Sequence, residues 1–185
     1  MKTSTIVQII LNSIIITLFL GSGITVLLLR HFANGYDKYL LGTTLIVSGT
    51  AKLIIYYLNK GHKNPRNITI ISSGVMIALG ALFFISNRDM EMLCFGWGVT
   101  EIVLGLIEVY IDLLEVKEDK IAILELVVNA TTIVFGALLC INLSNGLTVH
   151  LIFLGISLIL LAIIAFLKLI RKLKGQPEDE EKHNS

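Results

Sequence analysis

Gly42-Thr-Thr44-Leu-Ile46-Val-Ser-Gly49-Thr-Ala-Lys52 returns along the chain as Gly98-Val-Thr100-Glu-Ile102-Val-Leu-Gly105-Leu-Ile-Glu108, and again as Gly155-Ile-Ser157-Leu-Ile159-Leu-Leu-Ala162-Ile-Ile-Ala165. The copies are 56 and 57 residues apart, and a second series, Gly23, Gly80 and Gly136, keeps the same period. The repeating unit is therefore a pair of hydrophobic segments, present three times.

Of 185 residues, 55% are hydrophobic, 16% are charged and two are proline. That balance lies outside the ordinary range of a soluble domain and makes a bilayer the expected solvent. Apolar runs cover 6–29, 39–58, 68–85, 92–111, 121–141 and 147–167, each near the ~20 residues that cross the hydrocarbon. Backbone groups in lipid must be satisfied within the segment, so the runs are predicted as helices. The expected fold is all-α: a polytopic membrane protein of six transmembrane helices, built as three repeated helical hairpins with pseudo-three-fold symmetry. One domain, 1–172, holds repeats at about 6–58, 68–114 and 121–172, followed by a polar tail at 173–185 with Pro177 and Glu178-Asp179-Glu180-Glu181, expected to be disordered. The first run, 24 residues long, exceeds a signal-peptide core of about 7–15, so it is read as a retained helix.

Charge sets the orientation. Lys2, Lys60, Lys63, Arg66, Lys117, Lys120, Lys168, Arg171, Lys172, Lys174 and Lys182 flank one set of helix ends, and Arg30, Lys38 and Arg88 the other. By the positive-inside rule both termini are cytoplasmic. The basic residues border membrane ends and do not form a groove, so nucleic acid is not an expected partner; the lipid bilayer is.

Gly42, Leu45, Gly49, Lys52 and Tyr56 fall on one helical stripe, and Gly98, Glu101, Gly105, Glu108 and Asp112 repeat the offsets, as do Gly155, Leu158, Ala162, Ala165 and Leu169. Small residues on such a stripe allow close backbone approach in lipid. Gly42, Gly49, Gly98, Gly105, Gly155 and Ala162 are the expected packing positions, with the even-numbered helices facing a central axis. Ser13, Thr17, Gly21 and Thr25 form another small-residue ladder, a helix contact either within the bundle or between protomers of a homo-oligomer.

Lys52, Glu101, Glu108 and Glu125 fall inside the apolar runs, where an ionised group costs about 2.5–3.5 kcal/mol on insertion scales and requires a partner or water. Lys52 and Glu108 hold equivalent repeat positions and are expected to pair. Glu125, Asn129, Thr132 and Gly136 make a polar face on the fifth helix. Two readings of Lys52, Glu101, Glu108, Glu125 and Asn129 stand side by side: a buried network that fixes helix register, and a hydrophilic pocket with Glu101 able to take up a proton or a cation.

Enzyme motifs are missing. There is no C-x-x-C pair, nucleotide-binding loop, nucleophile elbow or H-E-x-x-H sequence, and no metal site or cofactor is expected. Cys94 and Cys140 fall near the outer ends of their helices, where a bridge is geometrically open. His31 and His150 are read as solvated outer-side residues, Trp97 as an interfacial anchor, and Asp112 as an inner-leaflet boundary residue.

Residues 5–172 resemble the HdeD-like family of acid-resistance membrane proteins from prokaryotes, in size, in six spans as three hairpins, and in a glycine early in each even helix with a small residue seven places on, as in Leu41-Gly42 to Ser48-Gly49-Thr50. The resemblance implies a non-enzymatic multi-pass protein of the plasma or inner membrane, linked to acid stress, with no catalytic residue to carry over. The alternative function is a small transporter or channel whose inner pocket, around Lys52, Glu101, Glu108 and Glu125, binds a proton, cation or small solute.

Overall fold

A computed structural model describes residues 3–29, 36–58, 67–85, 90–115, 120–141 and 147–174. These form six helices: α1 (Thr3–Leu29), α2 (Tyr36–Leu58), α3 (Asn67–Ile85), α4 (Met90–Glu115), α5 (Lys120–Cys140) and α6 (Leu147–Lys174). Both prolines, Pro65 and Pro177, lie outside the described residues, so no proline interrupts a described helix. Hydroxyls on the apolar surfaces satisfy themselves locally: Thr17, Thr25, Thr43, Thr50 and Thr131 each donate to the carbonyl four residues back at 2.7–2.9 Å.

Five helices, all but α3, are long and apolar enough to cross a membrane by length and composition; α3 is a shorter apolar helix, counted over Thr69–Ile85. Their outward faces carry large apolar side chains such as Ile10, Leu28, Ile71, Leu82, Leu106 and Val134. These features place the chain among multi-pass helical membrane proteins. Helix α6 reaches Lys174, two residues into the predicted tail. The remaining tail, 175–185, and Lys2, Arg30, His31, Lys60, His62, Lys63, Arg66, Arg88, Lys117, Lys182 and His183 lie outside the described residues.

The most extensive packing joins α4 to α5, α2 to α3 and α1 to α6; α5 also packs on α6 and α1 on α2, whereas α3 and α4 barely touch. The two glycine series explain the choice of neighbours. A Cβ placed on Gly98 would lie 2.5 Å from the Gly136 carbonyl oxygen, one on Gly80 2.8 Å from that of Gly42, and one on Gly23 2.8 Å from that of Gly155. The backbones cross where neither side chain intervenes, which gives the close van der Waals contact that drives helix association in lipid. Thus Gly42, Gly98 and Gly155 meet adjacent helices and do not line a central axis. Closest packing follows glycine pairing and not the sequence hairpins, and α3 and α4, which share no such pair, leave a seam.

Gly49 and Gly105 serve the same purpose against side chains: a Cβ would meet Ile77 at 2.8 Å and Ile133 at 2.6 Å respectively. Ala162 is buried in the apolar core with Ile15, Phe19, Leu45, Met76, Trp97 and Leu158. The Ser13, Thr17, Gly21 ladder instead faces outward, and nothing lies within 4 Å of a Cβ on Gly21. Its contact within the bundle is thereby ruled out, because α1 turns its Gly23 face to α6.

Candidate functional site

Helix α4 places Trp97, Glu101, Gly105, Glu108 and Asp112 on one inward stripe, spaced by three or four residues. Trp97, Glu101 and Asp112 are buried. Each carboxylate meets a different partner on α5 or α6. Ser157 donates to Oε1 of Glu101. Lys168 Nζ donates to Oε2 of Glu108 at 2.8 Å. Asn129 Nδ2 donates to Oδ2 of Asp112 at 2.6 Å. On α5, Glu125 is fully buried and accepts from Arg171 Nη1 at 2.8 Å.

The predicted polar face of α5 is its buried face: Ala122, Glu125, Asn129, Thr132, Gly136 and Leu139. It turns inward because α4 and α6 supply the hydrogen-bonding groups that lipid cannot. Two buried polar networks result, one joining α4 to α5 through Asp112 and Asn129, the other joining α5 to α6 through Glu125 and Arg171.

All six helices line one interior cavity of about 130 Å³. Its walls include Phe19, Leu45, Met76, Leu79, Leu104 and Leu161, and its polar groups are Asn12, Lys52, Ser72, Thr100, Glu101, Glu108, Asn129, Thr132 and Lys168. Trp97 and Glu101 stand toward one end and Glu108 seven residues further along α4, a separation of about 10 Å at ~1.5 Å per residue. The indole N–H of Trp97 is within interaction range of the Glu101 carboxyl without closing a hydrogen bond, and Glu101 Oε2 is buried with no partner.

The expected Lys52 to Glu108 pair does not form. Lys52 lies within electrostatic reach of both Glu108 and Lys168, but the direct partner of Glu108 is Lys168. The reason is packing: α6 approaches α4 across the interior, whereas α2 makes no comparable contact with α4 and is held off by the cavity. Lys168 lies one turn beyond Ala165, the repeat equivalent of Lys52 and Glu108, and its flexible stem covers the offset.

Further sequence readings change. Trp97 is 3% exposed and lines the cavity, so it is no interfacial anchor; the glycine crossing at Gly98 turns its side of α4 inward. Asp112 is 0% exposed, not a boundary residue, because Asn129 reaches it. Arg171, read as a juxtamembrane cation, bends inward to Glu125. His150 is buried in the first turn of α6 and not solvated. Cys94 and Cys140 are both free thiols. The signal for Asp112 was present: it ends the stripe of Gly98, Glu101, Gly105 and Glu108. The roles of Lys168 and Arg171 had no such signal, since cations at a membrane end pair with headgroups and with buried acids in the same sequence pattern.

Among the described residues no group of three or more His, Cys, Asp or Glu side chains could hold a metal ion. Interior charge among the described residues comprises Glu101, Glu108, Asp112 and Glu125 against Lys52, Lys168 and Arg171. Glu101 is bonded to a hydroxyl and Asp112 to an amide, whereas Glu108 and Glu125 meet cations. No protein-family model, curated protein or solved structure matches the chain.

Proposed function

We propose that this multi-pass membrane protein binds a small polar solute or cation in its interior cavity as a non-enzymatic carrier or channel, with Glu101 as the group that holds the charge. The observation that carries the reading is the unpartnered, buried Oε2 of Glu101 in a cavity walled by all six helices. Asp112 Oδ1 and Glu125 Oε1 are also buried without a partner, but neither residue lines the cavity, whereas Glu101 does. Glu101 lines a space large enough for solute or water, so its carboxyl group is placed to receive a donor from outside the chain.

The glycine crossings support six spans in three related units, with α3 completing the set: Gly23 with Gly155, Gly42 with Gly80 and Gly98 with Gly136 recur in the period of the sequence. On this reading the termini are cytoplasmic and the protein resides in a plasma or inner membrane, as resemblance to the HdeD-like family implies. The same crossings favour that kinship as a second reading, in which the cavity serves an acid-stress role.

Single cysteines at Thr100 and Ala165, introduced after replacing Cys94 and Cys140, test the cavity in liposomes with a membrane-impermeant maleimide. Labelling at both positions, with none at the outward-facing Val103, is the expected result. Protection at Thr100 and Ala165 alike would leave a sealed structural core and remove the solute-binding reading.

A further inference from the structure

The cavity holds two charges of opposite sign that lack an opposite-charge partner in direct contact. Glu101 accepts a hydroxyl bond from Ser157 and lies near the Trp97 indole, and its Oε2 is buried without a hydrogen-bond partner. Lys52 lines the same space and reaches no carboxylate at ion-pair distance among the described residues, since the salt bridge at its level is made by Lys168 and Glu108. Ionisable groups along the cavity are therefore segregated, with a carboxyl at Glu101 and two amino groups, Lys52 and Lys168, around the single carboxyl of Glu108. Between these ends Leu45, Met76, Leu104, Leu161 and Ile164 supply apolar wall, with Asn129 and Thr132 of α5 on one side.

Such a cavity is complementary to a molecule with an ammonium at one end, a carboxylate at the other and methylenes between. A simple cation would satisfy Glu101 and leave Lys52 without a counter-charge, and a simple anion would do the reverse. Resting on the solute-binding reading above, we infer that the ligand is a short zwitterion, an ω-amino acid of four or five carbons, whose ammonium donates to Glu101 Oε2 and whose carboxylate accepts from Lys52.

Length follows from register. Lys52 occupies the repeat position of Glu108, seven residues from that of Glu101, or about 10 Å along the axis. A hydrogen bond of about 2.9 Å at each end leaves about 5 Å of axial separation between the ligand's own charged atoms. The lateral offset between α2 and α4 adds to this, giving the span of four or five carbons. An α-amino acid is too short to engage both. The volume agrees, since about 130 Å³ is close to the ~150 Å³ of a cavity that holds benzene. Each end adds a charge-assisted hydrogen bond in a low-dielectric site, so the two-headed ligand should bind about tenfold or more tightly than either one-headed analogue.

Trp97 is the only tryptophan in the chain and lines the cavity, which makes its emission a local reporter. The protein in liposomes is titrated with 5-aminopentanoate, pentylamine, pentanoate and glycine. The expected result is a saturable change with 5-aminopentanoate at an affinity about tenfold or more above the other three. Lys52→Met should reduce 5-aminopentanoate to the level of pentylamine without weakening pentylamine itself. Lys52→Arg, which keeps the charge, should retain the preference and guards against a loss of folding in Lys52→Met. Equal affinity for 5-aminopentanoate and pentylamine, or equal weakening of both by Lys52→Met, would overturn the two-headed ligand while leaving a solute-binding cavity in place. No response to any of the four would remove the cavity reading as well.

Discussion

Lys168 on α6 donates to Glu108 on α4 at 2.8 Å, across 60 residues of sequence, and this contact ties the two helices together across the interior. The pair is part-exposed, with side chains 37% and 23% accessible, so screening limits its worth. Lys168→Met should lower stability by about 1 kcal/mol, the upper end for an accessible pair, read as a drop in Tm in detergent. Exchanging the two charges, Glu108→Lys with Lys168→Glu, should recover most of that loss. The corresponding exchange of residues 52 and 108 should not; recovery there would restore the Lys52 pairing that the packing of α6 excludes.

Arg171 and Glu125 stand in a different environment, because Glu125 is fully buried. Removing the cation alone strands a carboxylate, and Arg171→Met should cost about 3–5 kcal/mol. The double variant Arg171→Met with Glu125→Gln should be more stable than Arg171→Met alone, since the second change removes the stranded charge. Chemical unfolding of the three proteins checks the order; a double variant less stable than Arg171→Met would contradict it.

Glycine substitutions should separate into two classes. Gly98→Ala drives a methyl into the Gly136 carbonyl, and backbone cannot give way as a side chain can, so about 1–3 kcal/mol is lost to overpacking. Gly21→Ala and Gly74→Ala meet nothing within 4 Å and should be neutral or stabilising by up to about 1 kcal/mol, from helix propensity. Similar Tm losses at all three positions would mean that the outward face of α1 or α3 is packed in the membrane.

Ser22 and Thr44 join α1 to α2, their hydroxyl oxygens 2.5 Å apart. Thr44 spends its hydrogen on the Leu40 carbonyl, so Ser22 is the donor in this contact. The Ser22→Cys, Thr44→Cys variant, built after replacing Cys94 and Cys140, should form a disulfide on mild oxidation, because the side-chain termini already lie near bonding distance. Two thiols that stay titratable after oxidation would mean that α1 and α2 do not meet at this level.

Much of the fold is legible in the sequence because hydrophobic length and glycine period are local or regular signals. The buried face of α5, from Glu125 through Asn129 and Thr132 to Gly136, follows from helical spacing alone. Partner identity does not. Lys52 and Glu108 share a repeat position, yet the approach of α6 to α4 decides which lysine reaches Glu108. Likewise, nothing local distinguishes an Arg171 that meets a headgroup from one that turns back to Glu125. For Trp97 and Asp112, position near a helix end suggests an interfacial place, but membership of the inward stripe of α4 decides their burial.

The central claim is that the charged stripe of α4 faces an enclosed interior and not lipid, and Trp97 on that stripe reports it most directly. In liposomes of phospholipid brominated along the acyl chains, Trp97 emission should be little quenched, because the indole is 3% exposed among neighbouring helices. Strong quenching, of the size given by a tryptophan in contact with acyl chains, would place the stripe against lipid and contradict the account.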